Sequence, residues 1–246
     1  MKASSNLRLT PLLCALALTC ACTINGDRES TREVQTESKT VALGAAKSVR
    51  VNLNMRAGEL KVAGGASQLL EASFTYNVPR WQPDVKYTVS GEVGNLDVEQ
   101  PESGHTIGHT RNEWDLHLNN KVPIDLAVDM GAGKATMTLG GMALRELRVD
   151  IGAGETTVDL TGDWKNNLSA RIHGGVGKAT VRLPTDVGVH VIAHGGLGAI
   201  NARGFQKQGD AYINEAYGKS PVTLNIEVEG GVGEIDLEMG EAPPVV

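Results

Sequence analysis

A short pattern recurs along this chain and constrains its fold more than any other feature. Gly131-Ala132-Gly133-Lys134-Ala135-Thr136-Met137-Thr138-Leu139 returns as Gly152-Ala153-Gly154-Glu155-Thr156-Thr157-Val158-Asp159-Leu160. It returns again as Gly175-Val176-Gly177-Lys178-Ala179-Thr180-Val181-Arg182-Leu183. Further copies start at Gly196-Leu197-Gly198 and Gly231-Val232-Gly233, and weaker ones lie at Ala57-Gly58-Glu59-Leu60 and Val93-Gly94-Asn95-Leu96. The second glycines, at 133, 154, 177, 198 and 233, are spaced 21, 23, 21 and 35 residues apart. A fixed period of this length marks a stack of small units that bury their apolar faces only on one another.

Each copy has one grammar. A strand such as Ile124–Met130 or Leu147–Ile151 leads into the glycines, and a second alternating strand follows. Strict alternation places one face inward. The inward ladder is Ala135, Thr156, Ala179, Ile200, Ile235, then Met137, Val158, Val181, Ala202, Leu237; Thr136, Thr157, Thr180, Asn201 and Asp236 point outward. The expected fold is therefore all-β: a single β-solenoid with glycine corners and rungs of about 21 residues. An ordinary sandwich also spaces its strands regularly, but near-identical corners favour the stack. Gly133, Gly154, Gly177 and Gly233 are expected at positive φ or pressed against a neighbouring backbone. Composition agrees, with 30 glycines and only 4% aromatics, which suits a thin core between many corners.

The N-terminus reads as a secretory signal over residues 1–21. Lys2 and Arg8 precede an apolar stretch, Leu9–Leu18, too short for a membrane-spanning helix. Leu18-Thr19-Cys20-Ala21-Cys22 resembles the lipobox of bacterial lipoproteins. That resemblance implies cleavage before Cys22 and acylation of its thiol and new amine. The chain's three cysteines, Cys14, Cys20 and Cys22, all fall in this region, so the mature domain can form no internal disulfide. Thr23 is not the aspartate that retains lipoproteins at the inner membrane, so the outer membrane is the expected address. Residues 22–41 are polar and read as a flexible tether. Removing Lys2 and Arg8 leaves 21 basic against 29 acidic residues, a net charge of −8, which argues against nucleic acid as a partner.

The Gly-x-Gly corners, the strand grammar and Gly209-Asp210-Ala211-Tyr212-Ile213-Asn214-Glu215-Ala216-Tyr217-Gly218 before the last corner resemble the toast-rack family, which includes the soluble C-terminal domain of LiaF-like proteins. Arg56–Val62 followed by Leu69-Leu70-Glu71-Ala72 is similar to the family's N-terminal portion. The resemblance implies an N-terminal toast-rack-like region over 42–122, LiaF-like repeats over 123–240 and a short tail, 241–246. LiaF-like members act with two-component systems in sensing envelope stress. They carry transmembrane helices, which this sequence lacks.

Candidate chemistry is sparse. Gly131–Thr136 is no phosphate loop, because Val128 stands where its first glycine should be and Ala135 where its hydroxyl should be. Lys134, Glu155 and Lys178 occupy equivalent positions and form a charge ladder. Asp129, Asp150, His173, His194 and Glu229 lie two residues before the first corner glycine, a polar column whose carboxylates and imidazoles could hold a divalent cation; an exposed ladder is the plainer account. His105 and His109 read as loop residues. Trp81, Trp114 and Trp164 could offer a sugar platform, though capping and loop anchoring suit them better. No Gly-x-Ser-x-Gly elbow is present. The 35-residue interval makes residues 204–218 extra to the rung pattern. Phe205, Tyr212 and Tyr217 in it are expected to cover an open edge near the last rung, or to bind a partner. The sequence thus reads as a non-catalytic, lipid-anchored envelope protein, with no cofactor, no evident small-molecule substrate and an unidentified envelope protein as partner. The rivals are a polysaccharide-active solenoid enzyme using Asp150 and His173, and a surface adhesin.

Overall fold

A computed structural model describes residues 29–30, 32–101 and 106–240. Among them are fifteen strands and one 3-10 turn, Pro79–Trp81. In chain order the strands are β1 (Glu29–Ser30), β2 (Gln35–Val41), β3 (Ser48–Gly64), β4 (Leu70–Tyr76), β5 (Asp84–Ser90), β6 (Val93–Glu99), β7 (Thr106–Ile107) and β8 (Asn112–Leu118). Then follow β9 (Ile124–Thr138), β10 (Leu144–Asp159), β11 (Leu168–Leu183), β12 (Gly188–Arg203), β13 (Gln206–Gln208), β14 (Ala211–Ile213) and β15 (Thr223–Met239). All but β1 and β7, which pair with each other, join one open sheet of 13 strands. No described helix is long and apolar enough to cross a membrane.

Six long strands, β3, β9, β10, β11, β12 and β15, form the repeat as parallel neighbours. Each is one strand bent at its glycines, so a rung is a V whose two arms enclose the core. Residues of both arms alternate inward: Leu126, Val128 and Met130 before the bend, Ala135 and Met137 after it, all nearly inaccessible. The corner requires glycine for two reasons. Gly154 has φ 137°, a region L side chains avoid. A Cβ there would also lie 1.8 Å from the carbonyl oxygen of Gly133 on the preceding rung. Gly133, Gly177, Gly198 and Gly233 repeat this geometry, as does Gly58 of β3 with the carbonyl of Asn112. Of the two weaker copies, Gly58 is thus a full corner, in register with Gly133. Gly94 is not: it pairs with Val49 in the first arm of β3.

The rungs do not stack in chain order. The spatial order is β9, β10, β11, β15, β12, so the last copy enters between its two predecessors. Cross-strand charge explains this. Arg171, Lys178 and Arg182 of β11 stand opposite Glu227, Glu234 and Glu238 of β15, with contacts of 2.6, 3.1 and 3.3 Å. Direct β11–β12 pairing would set Arg182 against Arg203 and His173 against His194. Opposite charges across a ladder stabilise by about 0.2–1 kcal/mol a pair, and like charges cost as much. The acidic β15 therefore belongs beside the basic β11, with Arg203 of β12 opposite Glu238 on its other side. On its other side Asn201 of β12 donates to Glu234 and Asp236, both at 2.8 Å.

At the N-terminal end the two arms of β3 part. Its first arm continues into β6 and β5, its second into β8, β4 and β2. The stretch expected to be tether up to residue 41 is therefore in the sheet from Gln35, as β2 paired with β4 over its whole length. An edge strand needs only backbone partners: Thr36, Ser38 and Thr40 are exposed, and the side in register with buried Tyr76, Phe74 and Ala72 carries Gln35, Glu37 and Lys39, so no apolar alternation announces it. Trp114 and Phe74 fill this end, edge to face with centroids 5.5 Å apart. The regions 42–122 and 123–240 share one sheet and one continuous core.

Candidate functional site

The middle residue of each Gly-x-Gly corner sits at the outer apex of the V, in register from rung to rung. In the first three rungs it is Ala57, Ala132 and Ala153; in the last three, in spatial order, it is Val176, Val232 and Leu197. These three are 57%, 48% and 74% exposed. They make an apolar ridge along one edge of an otherwise polar surface. The residue before the corner changes in step. Met55, Met130 and Ile151 plug the inside of the bend with buried side chains, whereas Gly174, Gly230 and Gly195 bring none of their own; at Gly230 and Gly195 the side chains of Ile235 and Ile200 lie close by, and at Gly174 the space is open. A Cβ at Gly174 would meet nothing within 4 Å. The result is a narrow crevice of about 30 Å³ beneath the ridge, lined among others by Ile172, Ala179 and Ile235. The sequence carried this signal in the varying middle residue, but the repeat grammar, which weighs constant positions, passed over it.

The polar column flanks the ridge. In space it runs Asp129, Asp150, His173, Glu229, His194, following the corrected strand order. Asp150 is engaged by Arg148 at 2.6 Å, and His173 Nδ1 lies 3.6 Å from it. The pair invoked for an enzyme is thus adjacent, on an outer face, with its carboxylate held by arginine. Among the described residues no three His, Cys, Asp or Glu side chains are grouped to hold a metal ion. In the next column Arg171 at Glu227 holds that carboxyl below the usual carboxylate range. In the charge ladder Lys134 approaches Glu155 to 4.0 Å, but Lys178 turns the other way, to Glu234 at 3.1 Å and Asp236 at 2.5 Å. Lys178, then Asn201, hold the carboxyl of Asp236 below the usual carboxylate range.

Residues 204–218 form the hairpin β13–β14 and a following turn on the outer edge of β12. Tyr212 stands opposite Val191, and Lys207 Nζ lies 5.5 Å from its ring centre. Tyr217 stacks on His190 with centroids 5.3 Å apart, and Phe205 packs on the core. Asn214, which the sequence reading did not single out, ties the turn down: its side chain donates to the carbonyl of Val187 and accepts from the amide of Val189. Trp114 is buried and Trp164 nearly so; Trp164 donates to the carbonyl of Leu160 at 2.7 Å and anchors its loop. Neither offers a sugar platform. His109 is exposed, its carbonyl accepting from Asn77. His105, Cys22, the signal region and the tail 241–246 lie outside the described residues.

Bent parallel strands stacked on glycine corners define a class of all-β stack, and comparison with known proteins gives it a family. The N-terminal domain of toast_rack (DUF2154) matches residues 30–182. The chain belongs to the toast-rack family. A solved structure of a candidate cell adhesion protein from Clostridium sporogenes is 36% identical, with a TM-score of 0.82, over 85% of this chain and 100% of that one. A candidate adhesin from Bacteroides fragilis, 8% identical over 86% of this chain and 100% of that one, superposes with a TM-score of only 0.27, and no part of the reading rests on it. No curated protein matches the chain. The family and the Clostridium sporogenes likeness suggest a non-enzymatic envelope or surface protein.

Proposed function

We propose that this protein is a lipid-anchored envelope protein whose stacked domain acts as a non-catalytic interaction module, held to the membrane through Cys22. The likeness to the Clostridium sporogenes cell adhesion candidate over that chain's entire length carries the reading. The ridge of Val176, Val232 and Leu197 supports it, because exposed apolar side chains gathered in one row mark contact surfaces. Acyl chains on Cys22 would anchor it firmly, since two or more chains hold where one is marginal. The residues between Cys22 and β2 would set the domain's distance from the bilayer. A role in envelope stress belongs to the same reading, with the module engaging an envelope protein rather than acting through helices of its own.

Fractionation tests it. Cys22→Ala is expected to move the protein from membranes into the soluble fraction, whereas retention after a carbonate wash sinks the anchor. Crosslinking from native membranes is then expected to recover a protein partner with the wild-type chain and to lose it with the exposed apex change Val232→Lys. Recovery of the same partner from both would remove the ridge from the contact.

A further inference from the structure

We infer that the corner edge of the stack rests on the bilayer that holds Cys22, with Val176, Val232 and Leu197 seated among the lipid headgroups. This seat rests on the Cys22 anchor and adds the face that the anchor turns to the membrane. Strand register fixes where the chain enters the domain. β2 starts at Gln35, opposite Tyr76 of β4, which stands opposite Asn112 of β8. Asn112 in turn donates to the carbonyl of Ala57, the apex of the first corner, at 2.8 Å. Upstream, the amide of Arg32 donates to the carbonyl of Asn77, and Glu29 and Ser30 pair with Thr106 and Ile107 of β7. The chain therefore leaves the sheet towards Cys22 at the corner edge, not at the free ends of the arms. Glu29 lies seven residues after Cys22. At full extension, at most about 3.6 Å a residue, that keeps Glu29 within about 25 Å of an anchored Cys22. The ridge starts on β11, three rungs beyond the first corner, which is roughly 14 Å at about 4.8 Å a rung.

The edge that the anchor reaches is thus the edge that bears the exposed apolar row. Its three corners carry glycine on both sides of the apex residue and no titratable side chain. The nearest such groups are Lys178 and Glu234 after the bend and His173, Glu229 and His194 before it, two or three residues from the apex. A shallow seat leaves them at headgroup level. β11 and β15 are paired on both sides through their corners, so these two bends bring satisfied backbone to the lipid, as a bilayer requires.

The size of the ridge selects lipid. Three side chains are too few to hold a protein by themselves, where a stable interface takes about 20–30 residues a side. They suffice for a surface already tethered, because the anchor makes the second contact intramolecular and raises its effective concentration. Charge sets its character. A mature chain of net charge −8 gains nothing from an anionic surface, so the contact is apolar and shallow. Seated on lipid, the stack keeps one orientation towards its protein partner, and recovery of that partner comes to depend on the ridge.

The mature acylated protein in phosphatidylcholine vesicles tests this. Cleavage removes Cys14 and Cys20 and acylation blocks Cys22, so Val232→Cys gives a single thiol for an environment-sensitive fluorophore. Flotation with the vesicles reads the anchor, and quenching of the fluorophore by nitroxide-labelled lipid reads the seat. Floated protein is expected to show blue-shifted emission and quenching at Val232→Cys, and neither at Thr138→Cys, exposed at the far end of an arm. Leu197→Glu, at a solvent-facing site, is expected to lower the quenching at Val232→Cys with flotation and melting unchanged. Protein that floats unquenched keeps its anchor and overturns the seat, as does equal quenching at both probes. Quenching indifferent to Leu197→Glu overturns it too. So does a probe shielded in native membranes but not in pure vesicles, which assigns the ridge to a protein. Protein that does not float overturns the anchor, and the seat with it.

Discussion

The two ends of this stack solve one problem differently. Both must end a row of parallel strands whose backbone groups would otherwise continue. The N-terminal end spends about ninety residues on it: antiparallel strands continue each arm, a buried Trp114–Phe74 pair fills the gap, and Gln100 and Asn112 satisfy the first corner. The C-terminal end has one short hairpin, which covers three residues of β12 and leaves the corner bare. In repeat proteins such ends normally carry capping elements with polar outer faces. The N-terminal end is a cap in that sense. The other has the composition of a contact: Gly-rich, uncharged, with its largest apolar residue outermost.

The strongest test of this contrast is at a corner between the ends. Gly154→Val forces a β-branched residue into φ 137° and its Cβ into the Gly133 carbonyl. The expected loss is above about 5 kcal/mol, among the exceptional single substitutions, seen as a collapsed urea midpoint. A stable Gly154→Val protein would break the account of the bend on which both ends depend. Next is Trp114→Ala in the N-terminal cap, expected to cost about 3–5 kcal/mol. Urea unfolding should show the loss as a fall in midpoint.

At the sparse end, Tyr212→Ala with Tyr217→Ala is expected to cost only about 1–2 kcal/mol, because one ring is half-covered and the other lies on the surface. A loss equal to that of Trp114→Ala would mean that the hairpin is a true cap and the contrast is false. The smallest effect has the opposite sign. Gly174 has an ordinary φ and open space at its Cβ, so Gly174→Ala is expected to stabilise by about 0.4–1 kcal/mol through the unfolded chain. A rise in melting temperature confirms that the crevice is empty room. A fall means that the bend needs glycine there too.

Much of this protein follows from its sequence alone. The period, the alternating faces and the second glycine of each corner are local properties: side chains alternate by backbone geometry, and only glycine accepts the corner φ. Read together, they determined an all-β stack with its inward ladder and its corners. The tertiary structure decided which rungs touch. Chain order suggested β12 beside β11, but pairing energy is summed across a ladder, and three opposite-charge pairs set the acidic β15 there instead. Those charges were visible at Arg171, Lys178, Arg182, Glu227, Glu234 and Glu238, yet they carry meaning only once a register is given. The strand status of Gln35–Val41 was hidden for a related reason: an edge strand is held by its neighbour's backbone, which no side chain announces. The open corner of β12 is likewise a property of the assembled stack, because a strand becomes an edge only when nothing else has come to lie beside it.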